Sequence, residues 1–211
     1  AMEMDYNKLD VITWSWQKVL GGEASHGMLA LSPRAVQRLE NHIPSWPIPK
    51  LFRIANKKKL IKGIFEGSTI NTPSMICVED VLDALNWVES IGGSKELMKI
   101  SNENLNIVEN WVNKSSWIKF MCEDKNSRSS TSITLSIKDD WFNKFKEEEQ
   151  RDTIKKIVSI LKKEGVANDI NGYAKAPPSL RIWGGATVQN DDMKVLLPWI
   201  DWAYHSVKNN A

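Results

Sequence analysis

Apolar, β-branched and aromatic positions crowd residues 10–16 (DVITWSW) with little charge between them, a pattern that predicts a buried strand. Residues 27–31 (GMLAL) predict a second strand, which stops at Ser32-Pro33, a serine placed to cap a helix and a proline suited to its first turn. A short helix over residues 35–42 follows. The next stretch, IPSWPIPKLF, is broken by prolines and reads as extended chain. Residues 57–66 (KKKLIKGIFE) have hairpin character, and residues 70–75 (INTPSM) have the composition of a loop feeding a helix.

Val78, Val81, Leu82, Leu85 and Val88 then recur at helical spacing, which predicts an amphipathic helix over residues 76–90 stopped by Gly92-Gly93. Leu97, Met98, Leu105, Val108, Trp111 and Val112 continue the same period. Beyond Lys114 the pattern mixes. Residues 117–122 and 132–137 read as strands, 140–163 as mostly helix and 166–170 as a short strand. Residues 180–188 (LRIWGGATV) read as an interior strand with a glycine break, and 191–207 as a terminal helix. A sheet covered by helices, an α/β fold, is the product expected of that order. The run KFKEEEQR at residues 144–151 reads as a solvated helix face with ion-pair options, and Lys57-Lys58-Lys59 as part of a solvated hairpin.

Composition narrows the function classes. The chain of 211 residues can bury a real core and suits one domain, or one domain with part of another. Its 28 Lys+Arg against 26 Asp+Glu leave +2, a weak argument for a nucleic-acid or membrane partner, and ten tryptophans among few arginines suit cores better than base-stacking platforms. Cys77 and Cys122 have no metal or disulfide spacing, which points to a reducing, cytoplasmic compartment. No apolar run reaches the roughly 18 residues a membrane span needs, and no signal-peptide core opens the chain. Ala1-Met2 reads as an added scar ahead of a start methionine, and the early onset of strand suggests that something normally precedes it.

The chemistry concentrates at residues 13–27, TWSWQKVLGGEASHG. Lys18 follows a strand and precedes the pair Gly21-Gly22, whose missing side chains would let backbone pass close to a flat ligand. A lysine at a strand end is ordinarily a solvated charge. An amine held at fixed geometry is also what Schiff-base chemistry requires. His26 reads as a hydrogen-bonded structural residue, Ser25 as a turn residue able to donate to a phosphate, and Trp14 and Trp16 as core packing.

Four stretches in order, TWSWQKVLGGEASHG, EGSTINTPSM, EDVLDALNWVESIGG and PPSLRIWGGATV, resemble the carboxyl-terminal portion of phosphoserine aminotransferase of the alphaproteobacterial variety. That family belongs to the class V, fold-type I enzymes that use pyridoxal 5′-phosphate. The resemblance implies an incomplete major domain, residues 1–70 as its terminal strands, followed over residues 71–211 by a bridging helix and a small α/β domain. It implies that Lys18 carries the cofactor and shuttles a proton, with Gln17 beside it. Asn71 and Thr72 match a pair that reaches the cofactor phosphate of the neighbouring subunit, so a complete site implies a homodimer. Arg181 matches the arginine that takes the substrate α-carboxylate, and Arg128 a further recurrent arginine. Substrates are then O-phospho-L-serine and glutamate/2-oxoglutarate, without nucleic acid or membrane.

Two departures qualify this. The family's amino-terminal residues, among them the ring-stacking aromatic and the aspartate at the pyridine nitrogen, have no counterpart among the matched motifs, so full transamination requires them from elsewhere. Where relatives carry a His-Arg pair for the substrate phosphate, this chain reads AKAPPSLR. Residues 1–70 should therefore expose strand edge or apolar face and pair with a second copy or an amino-terminal partner. A related aminotransferase with another small donor, such as serine or alanine, and a non-catalytic, self-associating α/β fragment stay open beside the main reading.

Overall fold

The computed structural model describes residues 2–24 and 26–210; the turn serine, Ser25, lies outside the described residues. The chain divides into two compact units, Met2–Ser90 and the residues from Ile91 onward.

In the first unit β1 (Val11–Trp14) pairs antiparallel with β2 (Met28–Leu31), Val11 opposite Leu31 and Thr13 opposite Leu29. β1 is shorter than the apolar run because the backbone turns beyond it: the Gly22 N–H donates to the Trp16 carbonyl and the Gly21 N–H to that of Lys18. Ser32 caps α1 (Pro33–Asn41) by accepting the Ala35 N–H, as its sequence predicts. Asp10 fastens strand to helix, accepting the Ser32 hydroxyl at 2.7 Å and a forked Arg34 guanidinium at 2.8 and 2.7 Å. The Arg34 hydrogen bonds first, then Ser32, hold the Asp10 carboxyl below its usual range. β3 (Ala55–Asn56) and β4 (Lys59–Leu60) form a minimal hairpin, and residues 62–66 coil into a 3-10 turn. α2 (Met75–Ser90) ends the unit, and among its described residues only Cys77, Val81 and Val88, all on this helix, are buried.

The second unit contains α3 (Gly93–Lys114), capped by Gly92, so α2 is followed by only Ile91 and Gly92 before the next helix begins. β5 (Ile118–Phe120), β6 (Ser132–Ile137) and β7 (Leu180–Trp183) form an antiparallel sheet in the order β5-β6-β7. Strict alternation along β6 sends Ile133, Leu135 and Ile137 to one face, and the register sets Ile182, Leu180 and Ile118 opposite them. Against that face pack Val108 and Val112 of α3, Ile154, Ile157 and Leu161 of α5 (Glu147–Lys163), and Leu197, Ile200 and Tyr204 of α6 (Asn190–Asn209); α4 (Asp140–Asn143) adds Phe142. Burying such side chains is worth about 1.5–3 kcal/mol each. Trp117 stacks flat on Tyr204 at 3.8 Å, and the indole N–H groups of Trp111 and Trp117 both donate to Asp201 at 2.7 Å. Polar pairing thus accompanies aromatic burial.

Three expectations are corrected here. Residues 10–16 hold no buried strand, since β1 leaves Val11 and Trp14 58% and 46% exposed, so Trp14 is not core packing. Residues 166–170 form no strand, because α5 ends in a Schellman turn: Gly165 takes φ +72° and the Val166 N–H returns to the Leu161 carbonyl, as does that of Ala167. Only the end of the stretch meets the sheet, where the Ile170 carbonyl accepts the Arg181 N–H and Asn171 bridges to Leu180. The strand at residue 180 is also neither interior nor nine residues long. It stops at Trp183, since the Trp183 ring lies within 2.4 Å of where a Gly185 Cβ would stand and the Ser130 carbonyl within 2.9 Å of one at Gly184.

Candidate functional site

Lys18 sits in the β1–β2 connection, on a turn set by the two backbone bonds to Gly21 and Gly22. Gly21 has φ +67°, and at Gly22 a Cβ would meet the Trp16 ring at 2.9 Å and Val81 of α2 at 3.1 Å, so the loop lies directly on the helix. Farther along, the Cys77 thiol lies 3.5 Å from the Glu23 carboxylate, and the Ser74 N–H donates to His26 Nε2 at 3.1 Å. His26 also tilts against Trp16 at 5.1 Å. His26 thus accepts a backbone hydrogen bond and packs against an aromatic ring.

These contacts tie the Lys18 loop to the start of α2, immediately after Asn71 and Thr72. The Thr69 hydroxyl donates to the Asn71 carbonyl at 2.6 Å, shaping that approach. Lys18, Asn71 and Thr72 are exposed and Gln17 is half-buried. No ion pair engages the Lys18 amine among the described residues.

Arg181 belongs to the second unit. It points to the face of the sheet opposite the core, the face that Thr134 and Trp183 share by register. Its side chain is only 17% exposed, meets the Asp169 carboxylate at 3.2 Å and lies over the Tyr173 ring at 4.7 Å. Its Nε is buried with no hydrogen-bond partner. An orphaned buried donor is costly unless a ligand satisfies it, and a carboxylate would use this guanidinium edge. Asp169 and Tyr173 were not legible as neighbours of Arg181. The signals available were the N-D and N-G pairs of NDINGY, which mark a chain folding back on itself.

Arg128 has a structural setting: it pairs with Glu109 at 2.6 Å, covers the Phe120 ring at 4.0 Å and donates to the carbonyls of Cys122 and Glu123. Cys77 and Cys122 are both free thiols. Among the described residues no cluster of His, Cys, Asp or Glu could hold a metal ion, and no helix is long and apolar enough to cross a membrane.

No family model matches the chain. Phosphoserine aminotransferases of Methanosarcina barkeri and Methanosarcina mazei are 53% and 52% identical to it over 208 residues, covering 99% of this chain and 54% of each relative. The chain thus spans about half the length of the curated relatives it matches. Among solved structures, a phosphoserine aminotransferase characterised for radiation damage of its Schiff base gives a TM-score of 0.71 at 16% identity, over 96% of this chain and 49% of that one. The enzyme of Bacillus circulans subsp. alkalophilus gives 0.69 at 16% identity, with the same coverage. That of Cytophaga hutchinsonii gives 0.68 at 18%, over 94% of this chain and 50% of its own. These structures establish the fold, a partial α/β transferase. With 52–53% identity along nearly its entire length, the chain is a homologue of phosphoserine aminotransferase and corresponds to the carboxyl-terminal portion of that enzyme.

Proposed function

We propose that this chain provides the lysine-bearing and carboxylate-binding portion of a phosphoserine:2-oxoglutarate aminotransferase of serine biosynthesis, a cytoplasmic homodimer dependent on pyridoxal 5′-phosphate. The observation that carries the reading is the match over 99% of the chain, which takes in the Lys18 loop, residues 71–72 and Arg181 together. In this reading residues 1–70 are terminal strands of the cofactor-binding domain, and residues 71–211 the bridging helix and small domain.

The residues present fit the cofactor. A primary amine stands exposed on a turn pinned at Gly22, an amide and a hydroxyl precede the N-terminus of α2, and a buried guanidinium donor waits without an acceptor. When bound, pyridoxal phosphate supplies the carbonyl and the electron-withdrawing ring of amino-group transfer. Lys18 offers Nζ as the attachment point and exchanges a proton there, while the loop's seat on α2 limits its wander. Asn71 and Thr72, which match the pair that reaches the phosphate in the neighbouring subunit, would donate to an anion there, where helix N–H groups also favour one. Arg181 orients the substrate by its α-carboxylate, a contact common to phosphoserine and glutamate.

The test is borohydride fixation with pyridoxal phosphate followed by peptide mass mapping. It is run on the chain alone and on the chain mixed with the amino-terminal portion of the Methanosarcina barkeri enzyme. A visible band and label fixed on Lys18, lost in Lys18→Ala, are expected. Label scattered over surface lysines in both samples overturns the reading. Amino transfer from phosphoserine, compared with serine and alanine in the mixture, separates this enzyme from an aminotransferase of another donor.

A further inference from the structure

Two arginine–aspartate pairs in the chain differ in geometry. Arg34 gives Asp10 both groups of its guanidinium edge, Nε at 2.8 Å and Nη2 at 2.7 Å. Arg181 gives Asp169 only Nη2, at 3.2 Å, and its Nε, the other half of the same edge, is buried with no partner. A guanidinium edge is matched to the two oxygens of one carboxylate. Asp169 therefore fills half of that edge and leaves the costlier half, a buried donor, unsatisfied.

The two partners also differ in freedom. The Arg181 side chain is largely buried, with the Tyr173 ring over one face of the guanidinium, whereas the Asp169 side chain is 81% exposed. The backbone that carries them is fixed. The Ile170 carbonyl accepts the Arg181 N–H at 2.8 Å, and the Gly172 N–H donates to the Ser179 carbonyl at 2.9 Å. Beyond them the Tyr173–Ala176 turn is closed by its own backbone bond and tied by Arg151, which donates to the Ala176 carbonyl at 2.8 Å. The Asp169 carboxylate can thus leave by a change of rotamer while Arg181, Tyr173 and the backbone stay in place. Its departure costs little, because an ion pair so open to water is weak.

We propose that Asp169 is a resident counter-ion that a substrate carboxylate displaces, and that this exchange sets which anions Arg181 accepts. This rests on the reading of Arg181 as the residue that takes the substrate carboxylate. An incoming carboxylate takes Nη2 and Nε together, so it satisfies the buried donor that Asp169 leaves open. A halide is a single acceptor: it trades one contact for another and gains nothing. Tyr173 covers a face of the guanidinium, which leaves recognition to the edge. The arrangement favours planar two-oxygen anions over chloride, and in return holds the substrate somewhat less tightly than a free guanidinium would.

The test follows the Arg181 Nε–H resonance of the isotope-labelled full chain, identified by its loss in Arg181→Lys, through separate titrations with glutamate and chloride. Glutamate should shift this resonance, and chloride at the same concentration should not. Asp169→Asn, which keeps the shape and removes the charge, should tighten glutamate by about two- to fivefold, the worth of an exposed ion pair, and let chloride compete. Asp191→Asn, which takes a comparably exposed carboxylate from its pair with Lys194 on α6, should change neither. Weaker glutamate binding in Asp169→Asn overturns the proposal and makes Asp169 a support for the guanidinium. Unchanged affinity overturns it too, as does an Nε–H that ignores glutamate in both forms. In the mixture with the amino-terminal portion of the Methanosarcina barkeri enzyme, exchange at Arg181 without amino transfer supports this inference and defeats the proposed activity. Transfer from phosphoserine that chloride inhibits equally in the parent and in Asp169→Asn does the reverse.

Discussion

Residues 93–209 close a core in which even the polar groups are placed: Asn104 reaches the Gly184 and Val188 carbonyls, and Asp139 accepts from Tyr204, Lys208 and the Trp141 N–H. Residues 2–74 bury nothing among those described, and their fastenings, Asp10 to Arg34 and Ser74 to His26, lie at the surface. Both stretches contain well-formed elements, so caps and turns suffice to specify local structure. They do not suffice to stabilise a unit, because surface ion pairs are worth about 0–1 kcal/mol each and cannot replace apolar burial.

The largest expected effect follows directly. Amides of β6 should exchange at least about a thousandfold more slowly than those of β2 in the chain alone, measured by native-state hydrogen exchange; similar rates would break the contrast. Next, Leu135→Ala, at a position with no exposure, should cost about 3 kcal/mol in urea unfolding. Leu31→Ala, a half-buried position on β2, should cost less than about 1 kcal/mol.

A third prediction concerns pH. Hydrogen bonds from Lys208 and then Tyr204 lower the Asp139 carboxyl from 3.8 to about 2, while burial and the same bond push the Tyr204 phenol up. A depressed carboxyl stabilises the folded state fully above its unfolded value, and the contribution is lost as pH falls from about 4 to about 2. Asp139→Asn should therefore cost on the order of 1–2 kcal/mol at neutral pH, with the difference from the parent chain shrinking through that window. A pH-independent difference would assign the loss to packing. Smallest in stability is Asp169→Asn, within about 0.5 kcal/mol because the carboxylate is exposed. By releasing Arg181 it should nevertheless tighten carboxylate binding severalfold in titration calorimetry; weaker binding would show that Asp169 positions the guanidinium instead.

The local grammar of the chain was open to reading wherever one side chain decides the outcome. Ser32-Pro33 starts α1, alternation from Ser132 to Ile137 makes β6, and the run before Met75 leads into α2. Lys18 stood out by its neighbours, and the homology came from long motifs rather than from any single group. Where distant partners decide, the pattern misled. Residues 166–170 have strand composition, yet the first of them are spent closing α5, and β7 ends early because the Trp183 ring occupies the space over Gly185.

Sequence alone therefore determined most of the element types, their order along the chain and the family resemblance, since these depend on spacing and near neighbours along the chain. Tertiary structure decided that His26 and Glu23 dock the lysine loop on α2, that Asp169 and Tyr173 enclose Arg181, and that the first unit keeps its apolar face open. Those facts rest on contacts between residues far apart in the chain, and whether an apolar face finds a cover depends on which surfaces meet, not on the pattern that creates the face.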